Sequence, residues 1–128
     1  MIQTQLPSLG DATLLHRVTG SVDVPQAEQG AADALRLVQQ LAQQHHTIKL
    51  LLDLRGLHFD SLQAHKVWKL GFVEHPLVQQ HVRYVAIIGD DTPPFHAERE
   101  LMETERVKFF VDLALGQRWL AQAPLDNS

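Results

Sequence analysis

The sequence predicts an α/β domain: a mixed sheet of about five strands packed with about four helices, in the order ββαβαβαβα. Three observations predict it. Apolar runs of strand length, IKLLLD (48–53), YVAII (84–88) and VKFFV (107–111), alternate with patterns of helical period. Helix-capping residues follow each run: Asp60 and Ser61, Thr92 with Pro93, and Asp112. Two short strand-like runs open the chain. Strands alternating with helices lie parallel through right-handed crossovers, and an initial hairpin makes the sheet mixed.

The first strand runs from Ile2 to Leu6, followed by the turn residues Pro7, Ser8, Gly10 and Asp11. Ala12 to Thr19 is the second strand, paired antiparallel with the first, and Gly20 closes it. Asp23 and Pro25 open a helix with Ala27, Ala31, Ala34, Val38 and Leu41 on its inner face, widened by Leu35 and Leu37. Gln39, Gln40, Gln43 and Gln44 face water. His45 and His46 lie at its end, where the dipole favours a protonated imidazole.

The stretch IKLLLDLRGLHFDSLQA (48–64) is central. Ile48, Leu50, Leu52 and Leu54 alternate with Lys49, Leu51 and Asp53, so the second face is only partly polar, as in a strand covered on both sides. A run this short also fits a piece of buried helix. The turn signal ending in Gly56 favours a strand. Asp60 or Ser61 caps the following helix, whose inner face is Ala64, Val67, Trp68, Gly71 and Phe72.

Glu74-His75-Pro76 ends that helix, and Pro76 to His81 forms a short helical turn. Tyr84 to Ile88 is continuously apolar and expected to be well buried; Gly89-Asp90-Asp91 leads out of it. Thr92 caps a helix running to about Glu105, with Glu98, Arg99, Glu100 and Glu103 outward and Phe95 and Met102 inward. Val107 to Val111 is the last strand. Asp112 caps the final helix, with Leu115, Gly116, Trp119 and Leu120 on one face. Residues 1–123 read as one domain without repeat or linker, and 124–128 as a frayed tail.

At 128 residues the chain can bury one core, and with 45% hydrophobic and 20% charged residues it has an ordinary globular balance. A net charge of −4 argues against a nucleic-acid partner held by a broad basic surface, and against an electrostatic membrane anchor. The absence of cysteine excludes disulfides, thiolate metal sites and cysteine nucleophiles, and fits a reducing compartment. MIQTQLPSLG lacks the pattern of a signal peptide, and no apolar run approaches the ~18 residues of a membrane helix. The expectation is a cytoplasmic protein with no stable membrane insertion.

Three segments resemble the STAS-like superfamily, and within it the SpoIIAA-like (STAS/Sec14-like) branch. IKLLLDLRGLHFDSLQA is similar to its apolar strand ending in Asp, small-residue loop, aromatic and helix. HVRYVAIIGDD (81–91) looks like its strand with a basic residue before and an acidic turn after. VKFFVDLALGQRWL (107–120) is similar to its closing strand, acidic cap and helix. The likeness spans roughly Ala12 to Ala121. It implies a mixed sheet packed with helices and no settled enzymatic activity. Anti-anti-sigma factors of the superfamily carry a Ser or Thr at this helix start that a partner kinase phosphorylates. Asp60-Ser61 matches that motif, but Leu62 and Gln63 replace its second small residue and glycine. The Sec14 side implies an apolar pocket for a lipid-like ligand.

Ser61 is therefore both an N-cap and the candidate phosphosite. The chain has 8 histidines, but none forms the i, i+4 pair with a glutamate of a helical zinc site, so no metal or cofactor is expected. Asp60, Ser61 and His65 could approach one another, but the G-x-S-x-G elbow of a hydrolase is absent, and no catalytic residue is assigned. The leading expectation is a non-enzymatic binding module for a small apolar or lipid-like ligand, or for a protein. The ligand would lie between sheet and helices, touched by Trp68, Phe72 and Phe95, with Ser61 or His65 as polar contact. Trp68 and Phe95 stand out among the aromatics as exceptions to plain core packing. The alternative is a regulatory switch at Ser61. A strand edge near the N-terminus makes a homodimer a further expectation.

Overall fold

The computed structural model describes residues 1–5 and 12–124; the turn expected at Pro7 to Asp11 and the tail beyond Pro124 lie outside the described residues. In chain order the elements are β1 (Ile2–Gln5), β2 (Thr13–Val18), β3 (Gly20–Val22), α1 (Val24–Ala42), β4 (Ile48–Asp53), β5 (Leu57–Phe59), α2 (Leu62–Trp68), α3 (Pro76–His81), β6 (Val82–Ile88), α4 (Pro93–Met102), β7 (Val107–Phe110) and α5 (Leu113–Gln122). A π-helical turn, Lys69–Val73, links α2 to α3.

The main sheet has the order β1-β2-β4-β6-β7. β1 runs antiparallel to β2, and the other neighbours are parallel, as the alternation of strands and helices requires. β4 sits at the centre and is buried at all six positions. Leu14 and Val18 of β2 and Ile48, Leu50 and Leu52 of β4 face the larger core beneath α1, α2 and α3. Leu51, Ala86 and Ile88 face the other side, where Leu120 of α5 covers them.

Capping and close approach fix the helices. Asp23 and Gln26 form a reciprocal capping box at α1. A Cβ at Gly30 would lie 2.5 Å from Ile2 Cδ1, so α1 crosses β1 at a point that only glycine allows. The expected inner face of α1 is buried at Ala27, Ala31, Ala34, Val38 and Leu41.

Several details differ from the sequence expectation. Gly20, at φ +70°, opens the short strand β3, which pairs in parallel with β5 as a separate ribbon. Three-residue strands carry no readable period. The helix after Ser61 widens at Lys69, where Glu74 N–H bonds the Lys69 carbonyl five residues back. α4 ends at Met102 because Glu103 takes up extended backbone and its carboxylate accepts from Phe109 N–H, at 3.2 Å, on β7. Met102, expected inward, is 59% exposed. Leu115, also expected on the inner face, is 47% exposed, because α5 lies on the sheet through Gly116 and Leu120. Only Ala86 and Ile88 of β6 are fully buried, since the helices beside that strand cover it incompletely.

Candidate functional site

The C-terminal edge of the parallel strands is where open α/β sheets place ligands, and here it carries an ordered charge cluster. Parallel pairing sets Arg17 of β2 beside Asp53 of β4. Arg17 Nε donates to Asp53 Oδ2 at 3.0 Å. Arg55 straddles the same carboxylate, with Nε on Oδ1 and a terminal nitrogen on Oδ2, both at 2.9 Å. Burial pushes the Asp53 carboxyl up, but the hydrogen bonds from Arg55 and Arg17 outweigh it and hold the group below its ordinary value. Gly56, at φ +71°, donates its N–H to Asp90 at 2.8 Å and offers its carbonyl to Gly20 N–H at 3.0 Å. The loops after β4 and β6 are thereby tied together, and β3 is anchored to the loop after β4.

Beside this cluster lies a cleft of about 360 Å³. Leu54, Leu57, Ile87 and Phe95 form its apolar walls, with Asp90 and Glu98 at its rim. Thr92 caps α4, accepting from Phe95 N–H at 3.4 Å. The Phe95 ring lies against the backbone of Gly89, where a Cβ would come within 2.3 Å of it. It also meets Phe109 edge-on at 5.6 Å and His96 at 5.9 Å.

Of the residues singled out in the sequence, Phe95 alone borders this cleft. Ser61 is exposed and caps α2 through Ala64 N–H at 3.0 Å. His65 is exposed and stacks on Phe59 at 4.9 Å; among the described residues its ring makes no hydrogen bond to Ser61, so the two are not arranged as nucleophile and base. Trp68 and Phe72 are buried in the larger core. Trp68, read as an exception to core packing, lies inside because its indole N–H has a buried acceptor, His16 Nε2 at 3.0 Å.

His16 was not singled out in the sequence, yet it organises this region. It shares the inner face of β2 with Leu14 and Val18 and is fully buried. Because the Trp68 indole can only donate, Nε2 is the acceptor and Nδ1 carries the proton, 2.8 Å from Thr4 Oγ1. The Phe72 ring packs 4.5 Å away. Burial lowers the His16 pKa to about 4, so the imidazole is neutral at physiological pH. Its position in an apolar strand register, between Leu14 and Val18, was the signal that could have found it.

Among the described residues no three His, Asp or Glu side chains gather as a metal-binding group, and no helix is long and apolar enough to cross a membrane. No family model matches the chain, and no curated protein matches it. Solved structures do. An uncharacterized protein of the DUF3478 family with a SpoIIAA-like fold, from Shewanella loihica PV-4, is 27% identical, with 94% of this chain and 92% of that chain covered and a TM-score of 0.64. The Bacillus cell fate determinant SpoIIAA, in its phosphorylated form, is 13% identical, with 93% and 99% covered and a TM-score of 0.56; at that identity it bears on fold alone. The mixed five-stranded sheet, with its antiparallel start and alternating helices, has a SpoIIAA-like fold.

Proposed function

We propose that this domain is a non-enzymatic binding module that holds a small apolar or lipid-like ligand in the Phe95 cleft. The observation that carries the reading is that α4 buries none of its residues, while Phe95 at its start roofs an apolar cleft at the ligand-binding edge of the sheet. A ligand reaching Trp68 and Phe72 would require α2 to lift from β2 and break the Trp68–His16 bond, which makes the Phe95 cleft the less costly seat. Ser61 and His65 would serve as polar contacts only in that second, opened site. Titration with decanol, a neutral apolar chain, tests the proposal. Amide resonances of Gly89, Thr92 and Phe95 should move, and Phe95→Ala should abolish the effect. Unmoved resonances there, together with native mass spectra free of any bound lipid, would refute it.

A second reading has Ser61 as a phosphoacceptor that switches binding to a protein partner. It is favoured by the exposed Ser61 hydroxyl at the start of α2, next to Leu62, which is 69% exposed. A phosphate there would meet the free N–H groups of the first turn. Mass analysis of the protein from its own cells should find phosphate on Ser61. Ser61→Asp should weaken partner binding while the fold stays intact; equal binding by the two forms would dismiss the switch.

A further inference from the structure

The outer surface of the helical layer carries two stripes that match each other. On α2, Leu62, Lys66 and Leu70 stand four residues apart and so share one side, with Leu62 69% and Leu70 63% exposed. Leu70 belongs to the π-helical turn that continues α2. On α4, Pro94, Glu98 and Met102 repeat the same spacing, with Leu101 beside Met102, and all of them are exposed. Each stripe is apolar at its ends and charged at its centre, positive on α2 and negative on α4.

Neither central charge is answered inside the chain. Lys69 pairs with Glu74 and Arg99 with Glu103, but among the described residues the side chains of Lys66 and Glu98 form no ion pair or hydrogen bond. The fold brings the two stripes into one layer. Trp68 of α2 enters the larger core, and Phe95 of α4 meets Phe109, the register partner of Ile87, which packs against that same core. Both helices return from the C-terminal edge of parallel strands, α2 after β4 and β5 and α4 after β6, so they run in the same direction.

We propose that this layer is a homodimer interface, with a second copy of the chain related by a two-fold axis that runs along the helices between α2 and α4. Such an axis lays α2 of each copy on α4 of the other, in parallel. The spacing is then in register: Leu62 meets Pro94, Lys66 meets Glu98 and Leu70 meets Met102 across the axis. A second copy is the occupant because the stripes complement each other in spacing, polarity and charge, and every copy carries both. An anionic membrane would accept Lys66 but repel Glu98, on a chain of net charge −4. The contact is small, so the dimer should be weak and open on dilution. It uses helices and not the β1 edge expected from the sequence. Pro94 and Glu98 also border the Phe95 cleft, so the second copy's Leu62 and Lys66 would cover its rim, although the dimer does not require that cleft to hold a ligand.

Sedimentation equilibrium of the full chain, across micromolar to millimolar concentration, tests the proposal. The wild type should pass from monomer to dimer in that range. Lys66→Glu and Glu98→Lys should each weaken the dimer about tenfold or more, because each sets like charges together at both symmetry-related contacts. Both side chains are exposed, so far-ultraviolet circular dichroism should stay as in the wild type. An equimolar mixture of the two variants should regain wild-type association, since in the mixed pair both contacts join opposite charges again. A chain that stays monomeric throughout overturns the proposal; if it then floats with phosphatidylcholine vesicles, the stripes face lipid. A dimer indifferent to both reversals, or variants that fail to rescue each other, overturns it as well. Decanol titration of the dilute monomer is independent of every one of these outcomes.

Discussion

Acidification should destabilise this domain through His16 before it does so through any carboxylate. The perturbation is a fall in pH from neutrality to about 4, applied to the wild type and to His16→Gln. The pKa of His16 drops from 6.5 to about 4 on folding. The unfolded chain therefore takes up a proton below 6.5 that the folded chain refuses until about 4. Stability is complete above 6.5, declines across the window and levels off below it. At about 1.4 kcal/mol per pH unit, the full loss is about 3 kcal/mol. Among the described residues no charged group intervenes: Thr4, Trp68 and Phe72 are the side chains that bond or pack against the ring, and Asp53 belongs to the opposite sheet face.

Urea unfolding followed by tryptophan fluorescence, repeated across this range, reads the effect. The wild type should lose stability steeply between 6.5 and 4, whereas His16→Gln should begin lower, having lost part of the Thr4–His16–Trp68 chain, and fall less. The difference between the two curves cancels the exposed histidines. It also cancels Asp53, whose depressed carboxyl gives stability that is lost only at lower pH. Parallel curves for the two proteins, or an imidazole resonance of His16 titrating near 6.5, would refute the reasoning.

Asp53→Asn should cost about 1–2 kcal/mol in urea unfolding, since it strands Arg17 and Arg55, with solvent softening the loss because both guanidinium groups are partly exposed. Ser61→Ala should cost about 1 kcal/mol, while Ser61→Asp, which still caps α2, should stay near wild type; a large loss with Asp would contradict the capping geometry. Gly116→Ala should cost about 1–3 kcal/mol despite the better helix propensity of alanine, because its Cβ would sit 2.5 Å from Ile88 Cδ1. Ile88→Val removes that methyl, so the double variant should melt above the level expected from adding the two single losses.

The fold was legible because its signals were long and redundant. β4 shows alternation, turn chemistry and a capped helix within seventeen residues, IKLLLDLRGLHFDSLQA, and the structure keeps all three. The β3–β5 ribbon escaped because three residues on each side cannot display a period, and Phe59 looked like a loop aromatic. The inward turn of Met102 failed for a different reason. α4 is patterned as an amphipathic helix, but Glu103 bonds the edge of β7 and stops it, leaving Leu101 82% exposed beside Met102. The site was less legible than the fold. Phe95, singled out for its place near a loop, borders a cleft in the structure. His16 and Lys49 were passed over because a polar residue in a strand reads as solvent-facing until its neighbours in space are known.

These buried polar residues divide the molecule by rigidity. On the larger core, Trp68 cannot leave without abandoning a buried imidazole, and the Asp23 box and Gly30 contact bind α1 closely to its surroundings. Among the described residues α4 is held more loosely: Phe95 meets Phe109 edge-on and lies against Gly89, and at the helix end Glu103 accepts from Phe109 N–H and pairs with Lys108. Local opening follows the least buried element. A ligand entering this domain should therefore meet its lowest barrier under α4, and hydrogen exchange should be fastest there among the longer helices. Binding in the Phe95 cleft should slow exchange in α4 first and leave α1 unchanged; slowing that begins in α1 would place the mobile element, and with it the site, under the wrong helix.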